Sequence, residues 1–347
     1  MKDGDVDDVG QVAEVLAVAY GLDVRRLRRG PDGTHTRNYL ADTRDRRVWF
    51  VKTYPEADRT ELERERSAVA LAVFAAGGDV PVPPVLPTED GELMHTAPGP
   101  AMSVWRHLHP AETAEGGLSG GRWESVGQVV GRLHHRLARH PHAAPARRPS
   151  GRLRDLDRDR RRLQVLATAY SARSGADGFT AWARQAIEER LEWWPTLARL
   201  LEGVPPLTVQ VVHGDLASPN LLLDGDRVAG LIDFRPPSAR PAVWELARIG
   251  CDPRTVVAHP DWPQGLACLV AAYHHAYSVV TVDELMATVR VALIYTAASA
   301  YPLSEPLENP AAVTPSLRTY GRARHRAARL MIERLAEAEE ILHLHLR

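Results

Sequence analysis

Residues 208–234 read TVQVVHGDLASPNLLLDGDRVAGLIDF, and no other stretch restricts the fold as much. Val209–Val212 is an apolar run of strand length. His213, Gly214 and Asp215 follow, then a turn through Leu216–Pro219, then Asn220. Leu221–Leu223 predicts a second strand, Asp224-Gly225-Asp226 a turn, and Val228–Ile232 a third strand that delivers Asp233 at its end. One hairpin-like unit would thus present Asp215, Asn220 and Asp233 together. Two carboxylates and an amide oxygen are the hard ligands that Mg²⁺ prefers. In such a unit Asp215 would accept or orient the proton of an attacking hydroxyl. Asn220 and Asp233 would hold Mg²⁺ on a nucleotide's phosphates. Phosphoryl transfer needs mainly positioning and charge neutralisation, which these groups supply. A plain hairpin with Asp and Asn as turn residues explains Asp224–Asp226. It does not explain Gly214 between His213 and Asp215, or an Asp ending a wholly apolar strand.

His-Gly-Asp-Leu, Asn five positions after the Asp, and Ile-Asp-Phe with its Asp eighteen positions on (233 − 215) resemble the aminoglycoside phosphotransferase/choline kinase family. That family is similar in fold and spacing to the protein kinases, whose catalytic loop reads H-R-D-x-x-x-x-N. The resemblance implies an α+β, bilobal, protein-kinase-like fold. It would have a small N-terminal antiparallel β-sheet lobe for the nucleotide, residues 1–97, and a larger, mainly helical catalytic and acceptor-binding lobe, residues 98–347. It implies ATP or GTP as phosphoryl donor, Mg²⁺, and a small hydroxylated molecule as acceptor.

Lysine usage sharpens the search for the phosphate anchor. Of 43 basic residues only Lys2 and Lys52 are lysines; the rest are arginine. Lys52 lies in Val48-Trp49-Phe50-Val51-Lys52-Thr53-Tyr54, where alternation puts it on the face of Val48 and Phe50. An ammonium there is costly unless paired or pointed into a cleft, and the alternative is an edge lysine that snorkels to water. The resemblance makes it the phosphate-anchoring lysine. Glu61, Glu63 and Glu65 compete to pair with it from a predicted helix over 61–76. Glu65, three residues after Leu62 and four before Val69, lies at the edge of the buried stripe and matches the family's glutamate.

Residues 5–20 predict an amphipathic helix, and Val24–Arg29, Thr36–Thr43 and Arg47–Tyr54 predict strands. Gly33-Thr34-His35-Thr36 stands at the tip between the first two strands. The residues fit a plain hairpin turn as well as a phosphate nest; in the resembled family this loop covers the triphosphate. Val80–Val85 is extended and Pro-rich, and Glu92–Thr96 predicts a strand that leads to Pro98-Gly99-Pro100. By resemblance, the backbone of Met94, His95, Thr96 and Ala97 forms the adenine-contacting hinge. Trp123, Val126, Val130, Leu133 and Leu137 mark a core helix over 123–139, with His134 a buried structural histidine. Pro141–Ser150 reads as a loop, Phe179–Leu201 as one helix, and 263–300 and 314–346 as helical. After Phe234 the chain departs from the kinases' Gly with Arg235-Pro236-Pro237, and Glu245 stands where the family has Asp.

Composition excludes several classes. The formal net charge of −1 gives no pull toward nucleic acid or anionic membrane, and Arg152–Arg162 interleaves Asp with Arg, which cancels its field. The acidic start MKDGDVDDVG is no secretory signal, and Leu266–Val280, the longest apolar run, is broken by His274-His275. Cys251 and Cys268 sit in apolar surroundings and read as buried thiols of a reducing compartment, the cytoplasm. From residue 241 on, eleven acids meet ten arginines, a balance that tilts against a polycationic acceptor. The expected function is O-phosphorylation of an antibiotic or other natural product. The rivals are a metabolic homoserine- or choline-type kinase, and a nucleotide-binding scaffold without turnover.

Overall fold

The computed structural model describes residues 4–31, 36–77, 79–172 and 178–346. In chain order its elements begin with α1 (Gly4–Tyr20), β1 (Val24–Arg29), β2 (Arg37–Thr43), β3 (Val48–Thr53), α2 (Arg59–Ala76), β4 (Val85–Leu86) and β5 (Met102–Arg106). Next come β6 (Glu112–Thr113), α3 (Arg122–Leu137), β7 (Ala146–Arg148), α4 (Leu156–Ser171), α5 (Gly178–Glu192) and α6 (Trp194–Glu202). The central segment supplies β8 (Leu207–Val211), β9 (Leu221–Asp224), β10 (Arg227–Leu231) and β11 (Ala239–Pro241). The chain ends in α7 (Ala242–Gly250), α8 (Pro253–Ala258), α9 (Trp262–Ala276), α10 (Val282–Met286), α11 (Thr288–Ala298), α12 (Glu305–Glu308), α13 (Pro315–Glu333) and α14 (Leu335–Leu346). The α+β class expected from the sequence is observed, with an N-terminal antiparallel sheet and a helical C-terminal region.

Two compact units divide the chain. The first takes residues up to Glu112 together with His213–Leu216 and Asn220–Ser238. The second takes Thr113–Val212, Ala217–Pro219 and the chain from Ala239.

In the first unit the sheet runs β1-β2-β3-β5-β4, antiparallel throughout. One face is dry: Tyr39, Ala41, Trp49, Val51, Met102 and Val104 pack on Val12, Val15, Leu16 and Tyr20 of α1. Period-two alternation in β3 sends Lys52 to the other face, in register with Asn38 of β2 and Ser103 of β5. A smaller cluster joins Val69 of α2 to Tyr54, Met94 and Ala101. β9 and β10 form a hairpin in the same unit, turned through Gly225 at φ +60°. Leu231 N–H ties that hairpin to Pro81 O at 2.7 Å.

In the second unit β8 lies between β7 and β11, and α3 crosses α9 closely. A Cβ on Gly127 would stand 2.1 Å from Leu269 O, and one on Gly131 would stand 2.6 Å from Ala276 Cβ. Contact this close needs helix surfaces without side chains.

Several expectations need correction. Glu92–Thr96 is not a strand: His95 alone bridges to Met102, because Pro98-Gly99-Pro100 turns the chain back at once. The pairing strand is β5, beyond that turn, so the sheet runs past a boundary drawn at residue 97. Residues 179–201 make two helices, broken before Pro195, which has no N–H to continue the ladder. Residues 141–150 contain β7, whose few residues gain their pairing from β8. β8 is no part of the β9–β10 hairpin. The run 263–300 is helical in three pieces, α9, α10 and α11.

Of the cysteines only Cys251 is buried, and burial, with Asp252 adding, pushes its thiol up to about 12. Cys268 is exposed, because α9 turns Leu266, Leu269, Val270 and Tyr273 inward instead. A disulfide-exchange reagent is therefore expected to titrate Cys268 in the native protein and Cys251 only after unfolding. Peptide mass mapping reads the outcome, and equal labelling of both native thiols would contradict it. No described helix is long and apolar enough to cross a membrane.

Candidate active site

Lys52, Glu65, Asp215, Asn220 and Asp233, singled out from the sequence, all fall in the first unit. Lys52 Nζ lies 2.7 Å from Asp233 Oδ1 and 3.8 Å from Glu65 Oε2, with the ring of Tyr54 centred 5.7 Å away. The choice among three glutamates is settled by local chemistry. Glu61 is taken by the capping box of α2: Asp58 Oδ1 accepts from Glu61 N–H at 2.8 Å, and Glu61 Oε2 accepts from Asp58 N–H at 2.9 Å. Glu63 pairs with Arg66 at 2.8 Å. Glu65, half-buried on the inner edge of α2, is left facing the ammonium.

Asp233 follows β10 in the left-handed region, at φ +63°. Asp and Asn visit that region more readily than other side chains, and the conformation costs on the order of 1–2 kcal/mol. Desolvation raises the Asp233 carboxyl, but the Lys52 ammonium and its hydrogen bond outweigh this and hold it below the usual range, with Arg235 and His213 adding.

Asp215 is fixed from several sides. Its N–H donates to His213 Nδ1 at 3.3 Å, while His213 Nε2 bonds Ile232 O at 3.0 Å. A carbonyl only accepts, so this pattern puts the imidazole proton on Nε2. Asn220 Nδ2 donates to the carbonyl of Asp215 at 2.9 Å, which turns the amide oxygen of Asn220 the other way. The ring of His213 packs on Phe234, centroids 4.1 Å apart. Arg235 donates to Asp215 Oδ2 from Nη2 at 2.8 Å and from Nε at 3.2 Å. Sequence reasoning marked Arg235 only as a departure from Gly; its place directly after Ile-Asp-Phe was the available signal.

The backbone of His95 both donates to and accepts from Met102, at 2.9 Å each way. Ala97 precedes the turn at Pro98 and Gly99. Of the expected phosphate loop, Thr36 is half-buried just before β2, while Gly33, Thr34 and His35 lie outside the described residues.

Other ties belong to the second unit. Ser218 Oγ donates to Asp252 Oδ2 at 2.6 Å, both buried, and Asp252 caps α8. His134 is fully buried, bonding Tyr273 at 2.9 Å and Glu245 at 3.0 Å. Glu245, longer than the family's Asp, thus braces α7 against α3. Among the described residues, no group of three His, Cys, Asp or Glu gathers to hold a metal.

The sequence profile of the phosphotransferase enzyme family matches residues 26–286, well over half of the chain. The chain belongs to that family. The homoserine kinase of Zymomonas mobilis subsp. mobilis is 24% identical over 221 residues, which span 62% of this chain and 61% of that protein. A spectinomycin phosphotransferase solved with ADP and spectinomycin superposes with a TM-score of 0.66 at 14% identity, covering 93% of this chain and 98% of its own. An amicoumacin kinase solved with AMP-PNP and Ca²⁺ gives 0.56 at 11% identity, covering 94% and 96%. These solved structures share the kinase-like fold with this member of the phosphotransferase enzyme family.

Proposed function

We propose that this phosphotransferase family member transfers the γ-phosphoryl group of ATP or GTP to a hydroxyl of a small molecule. The supporting observation is the Lys52 ammonium between Asp233 and Glu65, in the same unit as Asp215. In the reaction the acceptor oxygen bonds to the γ-phosphorus. The bond to the β,γ-bridging oxygen breaks, and its electron pair leaves with the nucleoside diphosphate. The hydroxyl proton passes to the Asp215 carboxylate. Lys52 gives up Asp233 for the phosphates, and Glu65 then steadies it. Backbone groups of Met94 and Thr96 pair with the base at the hinge formed by Met94–Ala97, and the loop Gly33–Thr36 covers the phosphates. The donor set fits Mg²⁺, which takes one or two carboxylates plus phosphate oxygens. Asp233 and the outward-turned amide oxygen of Asn220 would hold it, and it would neutralise phosphate charge.

For the acceptor, we favour an antibiotic or other natural product, as in the spectinomycin and amicoumacin kinases that share the fold. The match to homoserine kinase supports a second reading, an amino-acid alcohol. The deciding experiment incubates the protein with Mg²⁺ and ATP or GTP against homoserine, choline, spectinomycin, a macrolide and an aminoglycoside. Mass spectrometry follows the gain of one phosphoryl group. Phosphorylation of homoserine alone would replace the first reading with the second. Nucleotide binding without transfer to any acceptor or to water would leave a scaffold.

A further inference from the structure

Arg235 has no part in the reaction outlined above, yet its guanidinium lies on the Asp215 carboxylate. Both of its bonds, at 2.8 and 3.2 Å, end on Oδ2, so it sits beside one oxygen and does not chelate both. Its backbone is fixed as well, since Arg235 N–H donates to His213 O at 3.0 Å. Gly214 stands at φ +91°, and a Cβ there would come within 2.7 Å of Arg235 Cβ. The catalytic loop thus carries a glycine where the stem of Arg235 passes.

Charge gives the same answer. Asp215, Asp233 and Glu65 bring three carboxylates to the cations Lys52 and Arg235. A second fixed cation keeps the Asp215 carboxylate oriented while Lys52 turns to the phosphates.

We propose that Arg235 is a positioning residue for phosphoryl transfer. It holds the Asp215 carboxylate at Oδ2, so that the acceptor hydroxyl meets it in a single orientation. This rests on the role given to Asp215 above. A misplaced base costs rate and leaves nucleotide affinity alone, so the loss falls on kcat.

The test uses the full chain. Arg235→Met keeps the stem over Gly214 and removes the charge, and Arg235→Lys keeps a cation. The probes are MgATP with water as acceptor, read as phosphate release, and MgATP with whichever panel acceptor the wild type phosphorylates. Arg235→Met is expected to lower kcat by up to about 100-fold, the cost of a misplaced reacting group, and to leave KM for MgATP within about threefold. Arg235→Lys recovers part of the loss, and an unchanged thermal midpoint shows that the fold persists. Arg235→Gln is read in parallel, so that the outcome does not hang on one variant's folding. Wild-type turnover in the uncharged variants overturns the proposal, as does a loss confined to KM. A wild type that neither transfers nor releases phosphate fails differently: it removes the role of Asp215, and that of Arg235 with it.

Discussion

Asp215→Asn is expected to lower phosphoryl transfer about 100- to 10,000-fold, the range that a positioned general base contributes. The amide has nearly the shape of the carboxylate and keeps one acceptor oxygen. What it loses is the capacity to take the hydroxyl proton. The backbone ties of residue 215 to His213 and Asn220 do not involve its carboxylate, so the loop should keep its course. Nucleotide affinity, measured by calorimetry, should stay within about threefold of the wild type, since a purely chemical defect spares ground-state binding. Turnover equal to the wild type's would end the assignment of Asp215. A joint loss of turnover and affinity would mark a structural role instead.

Lys52→Arg should be nearly as damaging, in a chain that uses arginine almost everywhere else. The ammonium stands 2.7 Å from Asp233 and 3.8 Å from Glu65, on a strand in register with Asn38 and Ser103. A guanidinium is planar and broad and cannot act as the same point charge. Loss of one preorganised cation at a reacting phosphate is expected to cost about 100- to 1,000-fold in kcat/KM for the nucleotide. Lys52→Ala adds a stability signature. Asp233 is held below its ordinary value of 3.8 chiefly by this lysine. A depressed carboxyl contributes stability above its unfolded pKa and loses it as pH falls through the folded one. The wild type's advantage over Lys52→Ala in urea should therefore be present at neutral pH and shrink below about pH 4. Both side chains are partly exposed, so the advantage is small. An advantage that grows in acid would contradict the pairing.

The strands and helices that carry these residues were readable because their patterns are local. β3 showed Lys52 by alternation, and α2 showed Glu65 by its distance from Leu62 and Val69. Glu92–Thr96 was misread as a strand because strand pairing depends on a partner, and Pro98-Gly99-Pro100 allows only His95 to find one. The break at Pro195 was legible in principle, since proline cannot continue a helix, but the apolar period ran across it. Cys268 was misplaced because an apolar run does not say which side of a helix faces out.

By itself, the sequence singled out the candidate groups: one strand lysine, and Asp215, Asn220 and Asp233 at spacings that a short loop and a hairpin impose. Chain connectivity fixes such spacings, so they survive without coordinates. Tertiary structure decided the pairings. It alone put Lys52 against Asp233, 181 positions away, spent Glu61 and Glu63 elsewhere, and laid Arg235 on Asp215. Charges choose partners by distance in space, and the number of residues between them carries no record of that distance.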